Sequence, residues 1–90
     1  MTQEDFNLFT AAFSIIRAKK GQINQIDAQI TQLETIQGQF KNKAKTAGMK
    51  QLLKNTENKI KMLLKDKQKI GESIPKFEKV YDSLEKKYFK

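Results

Sequence analysis

Lys41, Lys43, Lys45, Lys50 and Lys54 crowd a single stretch of the chain, and Lys61 and Lys65 follow close behind. Ammonium groups at that density hold anions. A phosphate backbone is the obvious candidate, because a lysine array binds it by charge without reading its sequence. The asymmetry is steep. Residues 41–69 carry ten Lys against Glu57 and Asp66, a net charge of +8. Residues 1–40 sum to −1 and residues 70–90 to +1. These seven lysines are therefore the candidate nucleic-acid contacts. The chain has seventeen Lys and one Arg, so any such binding is expected to be nonspecific, since specific readout leans on the planar Arg fork. The same lysines also suit the solvated face of a helix, where their stems cover apolar edges.

Other chemistry is poorly supplied. With no His and no Cys, the chain lacks the commonest transition-metal ligand, a thiolate nucleophile and any disulfide. Ser14, Ser73 and Ser83 have no base in a recognisable pattern. Glu78, Asp82 and Glu85 share a helix face and could hold a cation weakly, but Lys76, Lys79 and Lys86 alternate with them. No phosphate-cradling glycine loop or spaced metal consensus occurs. The expectation is a nonenzymatic protein with no cofactor and no small-molecule substrate.

The elements that carry these residues follow from apolar spacing. Steps of three and four from Phe9 land on Ala12, Ile16, Lys19, Ile23, Ile26, Ile30, Leu33, Gln37, Phe40, Ala44 and Ala47. Ten of these twelve positions are apolar. A second series runs Met49, Leu53, Thr56, Ile60, Leu63, Lys67, Ile70, Ile74, Phe77, Tyr81, Leu84 and Tyr88. A sustained 3.5-residue repeat is the pattern of a coiled-coil seam. The two series meet with a phase break at Gly48, where a helix is expected to end and reverse.

The predicted fold is all-α, an antiparallel helical hairpin with coiled-coil packing over residues 1–90. Arm one is placed at about 5–46, the turn at 46–49 and arm two at 49–89. Lys45 then sits favourably at a helix C-terminus. Facing residues should sum to about 94, which sets Phe9 near Leu84 or Glu85. That register also puts Gly21 opposite Ser73, between Gly71 and Pro75. Breaks near 20–22 and 71–75 are therefore expected, with Ser73 capping a fresh helix. A hairpin folded back there into a three- or four-helix bundle satisfies the same pattern.

Apolar residues spill beyond the seam. Near the N-terminus they wrap around much of the helix, and Leu52, Met62 and Leu64 widen the second arm. A two-helix hairpin leaves such surface wet, so self-association or docking on a protein partner is expected. The aromatic-rich end supplies the candidate interface: Phe6, Phe9, Phe13, Ile16, Phe77, Tyr81, Leu84 and Tyr88. The principal functional expectation is a noncatalytic interaction or assembly protein, most simply a homo-oligomer. The alternative is nonspecific nucleic-acid binding through the lysines.

No basic n-region or cleavage site precedes the first apolar patch, and no apolar run approaches the roughly 20 residues that span a bilayer. A cytoplasmic location is expected, with membrane binding disfavoured. In size and mid-chain turn the chain resembles the small secreted helical-hairpin proteins marked by a Trp-x-Gly turn. It has no Trp, so the resemblance implies architecture alone. Size and composition would equally suit a small phage or mobile-element accessory protein.

Overall fold

The computed structural model describes residues 1–43 and 45–89. They form an antiparallel hairpin of two helices, α1 (Gln3–Phe40) and α2 (Ala47–Phe89), joined through residues 41–46. Both helices start at a threonine. The Asp5 N–H donates to Thr2 Oγ1 at 3.1 Å, and the Met49 N–H donates to Thr46 Oγ1 at 3.2 Å. Each hydroxyl thus satisfies one of the orphan donors of a first turn. Electrostatically the two starts are opposites. Glu4 and Asp5 lie in the first turn of α1, whereas the first turn of α2 has no acid.

Each series of apolar positions becomes the inward stripe of one helix. All five residues that are buried among those described, Ala12, Ile30, Thr56, Ile74 and Leu84, lie on the two series. Every other series position from Phe9 to Gln37 and from Met49 to Tyr88 is half-buried. Phe40 and Ala47 are exposed, and Ala44 lies outside the described residues. The polar members of the seam are accommodated one by one. Thr56 donates its hydroxyl to the Leu52 carbonyl at 2.9 Å, Lys67 pairs with Asp27 at 2.7 Å, and Lys19 lies 5.7 Å from the centroid of the Phe77 ring. A lysine at a seam position is tolerable when its stem packs and its head reaches a carboxylate or a ring face.

Contacts fall into two compact units, a terminal unit (Met1–Ile23 with Lys69–Lys90) and a turn unit (Asn24–Gln68). Within each, the facing register is the expected one: Phe13 with Tyr81 and Asp27 with Lys67 both sum to 94. Phe9 stacks on Tyr81 at 4.6 Å and tilts against Phe89 at 6.0 Å, the two rings that flank the expected Leu84–Glu85 position on α2.

Three expectations need correction. The turn lies at 41–46, not 46–49, because Thr46 starts α2 and Gly48 belongs to that helix's first turn. No glycine here has a positive φ, so Gly48 does not serve as the left-handed cap that its position suggested. Lys45 consequently precedes the N-terminus of α2, where positive charge is unfavourable. Finally, α1 runs through Gly21 and α2 through Gly71, Ser73 and Pro75. Among the described residues each arm is one helix, without the expected breaks. A single helical Gly costs only about 1 kcal/mol against Ala, which packing along a long seam offsets. Ser73 does not cap. Its hydroxyl donates to the Ile70 carbonyl at 2.7 Å.

Gly21 and Pro75 are therefore costs that the helices absorb. A Cβ at Gly21 would meet nothing within 4 Å, so Gly21→Ala should raise stability by about 1 kcal/mol. Pro75 lacks the N–H that would bond the Gly71 carbonyl, and Pro75→Ala should add up to about 3 kcal/mol. Ile30→Ala should instead cost about 2–5 kcal/mol, as expected for a buried seam residue. Urea midpoints at one fixed protein concentration check all three, and a destabilised Gly21→Ala would contradict the continuous α1.

Candidate functional site

In the terminal unit an aromatic cluster ties the two helices together. Phe9 stacks on Tyr81, Phe89 tilts against Phe9 at 6.0 Å, and Phe13 approaches Tyr81 at 6.2 Å. Beside the cluster, Asp5 accepts from the Tyr88 hydroxyl and from Lys87 Nζ, the latter at 3.0 Å. The Tyr88 hydrogen bond, aided by Lys87, holds the Asp5 carboxyl below its ordinary value of 3.8. Lys87 is raised above 10.5, chiefly by its hydrogen bond to Asp5.

Most of the residues expected at an intermolecular interface are engaged within the chain. Leu84 is buried, and Phe9, Ile16, Phe77, Tyr81 and Tyr88 are half-buried on the seam. Phe6 and Phe13 remain about half exposed, at 51% and 49%. The uncovered apolar surface of this unit also includes Leu8, Val80 and Phe89. Leu8 and Val80 sit off the seam, so the heptad register itself was the signal that separates free apolar residues from paired ones.

In the turn unit, Ile36, Phe40, Met49, Leu52, Leu53 and Thr56 line an apolar groove that opens to solvent. Next to it, Gln29, Gln32, Leu33 and Lys59 line a more polar notch. Gln29, Gln32 and Leu33 lie seven, four and three residues before Ile36, and Thr56 and Lys59 lie four and seven after Leu52. At these helical spacings groove and notch share one side of the helix pair.

The lysines surround this unit without converging on a single strip. At 100° per residue, Lys50, Lys54, Lys61 and Lys65 fall within an arc of about 60° on α2, while Lys59 points well away from it. Glu57 lies at the edge of the arc and pairs with Lys61 at 3.5 Å. Lys41, Lys43 and Lys45 are exposed in the connection between the helices. No acidic residue occurs between Glu34 and Glu57.

Among the described residues no group of three or more acidic side chains is arranged to hold a metal ion, so Glu78, Asp82 and Glu85 do not form a cation site. Among the described residues no helix is long and apolar enough to cross a membrane. No protein-family model matches the chain, and neither a curated protein nor a solved structure matches it.

The Asp5 contacts make the acid limb of stability testable. A carboxyl lowered in the folded state stabilises fully above its unfolded value and loses that contribution as pH falls through the folded one. Below about pH 4 the thermal midpoint of the native chain should therefore fall more steeply than that of Asp5→Asn. Parallel curves for the two proteins would mean that the Tyr88–Asp5–Lys87 contacts do not persist in solution.

Proposed function

We propose that this protein is a noncatalytic assembly module that associates with copies of itself through the apolar surface of its terminal unit. The observation that carries this reading is an excess of surface. A compact monomer of 10.4 kDa exposes about 5,400 Å², whereas this chain exposes 7033 Å². A standard stable interface takes about 800 Å² from each partner, so the excess leaves ample room for one.

Phe6, Phe13 and Phe89 on one side of the helix pair supply the main anchors in this reading, with Leu8 and Val80 on the other side. Exposed aromatic and aliphatic side chains of this kind dominate association energetics once water is excluded. The terminal unit suits a second copy because its charges are mixed. Its six acids are interspersed with nine cations, a net of +3 against +5 for the turn unit, so two such surfaces meet with less repulsion than two turn units would. The turn unit, with its lysine excess, is a poor place for like to meet like.

Sedimentation equilibrium tests the proposal. The native chain should sediment as a dimer or larger in the micromolar range. Phe6→Gln with Phe13→Gln should weaken association at least about tenfold while helical circular dichroism is retained. A native chain that is monomeric at about 100 µM would overturn it.

A second reading has one observation in its favour, the arc of Lys50, Lys54, Lys61 and Lys65. It makes the chain a nonspecific binder of DNA or RNA, limited by Glu57 at the edge of that arc. Duplex binding followed by fluorescence anisotropy should then fall steeply with log salt and weaken when Lys50 and Lys54 are reversed to Glu. Absence of binding at low salt removes this reading.

A further inference from the structure

We infer that the groove of the turn unit is a docking site for an acidic amphipathic helix of a partner protein. The groove floor is apolar, built from Ile36, Phe40, Met49, Leu52 and Leu53 with Thr56 at one end. Leu52 is 58% exposed and Ile36 40% exposed, so large aliphatic surface stands open to water on both of its walls. An apolar floor between two helices accepts the apolar stripe of a third, with anchors spaced i, i+3, i+4 and i+7.

Charge selects the occupant. Between Glu34 and the start of α2 the chain carries Lys41, Lys43 and Lys45 and no acid, and Lys59 lies on the groove side of α2. The amino end of α2 adds its positive macrodipole to the same region, with no acidic residue in its first turn to offset it. A second copy of this unit would bring lysines against lysines, and like charges brought together at an interface repel. An acidic segment reverses that sign. A partner rich in Glu or Asp is steered in by the field and then held by its apolar anchors.

The notch fixes how such a helix lies. Gln29, Gln32 and Lys59 continue the groove on the same side of the helix pair. An acidic side chain one or two turns beyond the last anchor meets Lys59, with the two amides as adaptable donors. Nucleic acid makes a different demand. A phosphate backbone would engage the arc of Lys50, Lys54, Lys61 and Lys65 and gain nothing from Ile36 or Leu52. Lys59 and Lys61 therefore separate the two occupants, because they sit on different faces of α2. The surface is also separate from the one assigned to self-association, so either assignment can fail while the other stands.

The probe is a synthetic helical peptide with Leu at i, i+3, i+4 and i+7 and Glu at most other positions. Its scrambled isomer, a short DNA duplex and vesicles of anionic phospholipid serve as competitors. The patterned peptide should bind in the micromolar range and bind at least about tenfold more tightly than its isomer. Ile36→Gln with Leu52→Gln should weaken it at least about tenfold, Lys59→Glu should do likewise, and Lys61→Glu should change it less than about twofold. All these side chains are exposed, and unchanged helical circular dichroism verifies each variant. Lys59→Glu leaves the apolar residues intact, so it keeps the test decisive if the double variant unfolds. Equal binding of the isomer, indifference to both the groove and Lys59 substitutions, or tighter binding of the duplex or the vesicles would overturn the inference.

Discussion

Two helices hide only one stripe of each other, and that limit governs the rest of the molecule. The seam is packed from Phe9 to Gln37 and from Met49 to Tyr88, yet no described side chain is completely buried. Every seam residue keeps an edge in water because no third element lies over it. The chain compensates with length. Its helices contain 38 and 43 residues, which multiplies partial burial rather than deepening it. Small domains without disulfides or metals commonly recover the shortfall by association, and the proposed self-assembly follows from that constraint.

Within the limit, the two units use different means. The terminal unit joins its helices with rings and with a carboxylate shared between Tyr88 and Lys87, placing its bulk and its hydrogen-bonded charge together. The turn unit joins them with aliphatic contacts and the Asp27–Lys67 pair. It also tolerates an electrostatic conflict at the start of α2, where lysines surround a positive helix end. A purely structural turn would gain from an acid at that position, and its absence leaves an unbalanced positive field beside an open apolar groove. That pairing of features gives the turn unit its proposed partner.

Much of this was legible in the sequence, and the misses have identifiable causes. The hairpin and its facing register followed from the 3.5-residue repeat, because a stripe that must stay buried over forty residues leaves little freedom of phase. The turn was misplaced because Gly48 imitates a helix C-cap. The decisive signal was Thr46, whose hydroxyl meets the Met49 N–H; Thr2 does the same for Asp5. The expected interruptions at Gly21 and Gly71–Pro75 failed for an energetic reason. A breaker's penalty is local and small, while the seam it would interrupt is long. Six of the eight candidate interface residues lie on the seam and are buried or half-buried within the chain. Leu8, Val80, Leu52 and Ile36 lie beside the seam and are among those left uncovered. The groove could not be read from either helix alone, since it exists only where Ile36 and Leu52 face the same side of the pair.

The central claim is that the surface this hairpin's two helices leave open is covered by further copies of the chain. Urea unfolding measured at two protein concentrations about a hundredfold apart tests it most directly. If folding is coupled to association, the midpoint rises with concentration, as mass action requires. A midpoint independent of concentration, with an unfolding free energy in the ordinary range of about 5–15 kcal/mol for the isolated chain, would contradict the account.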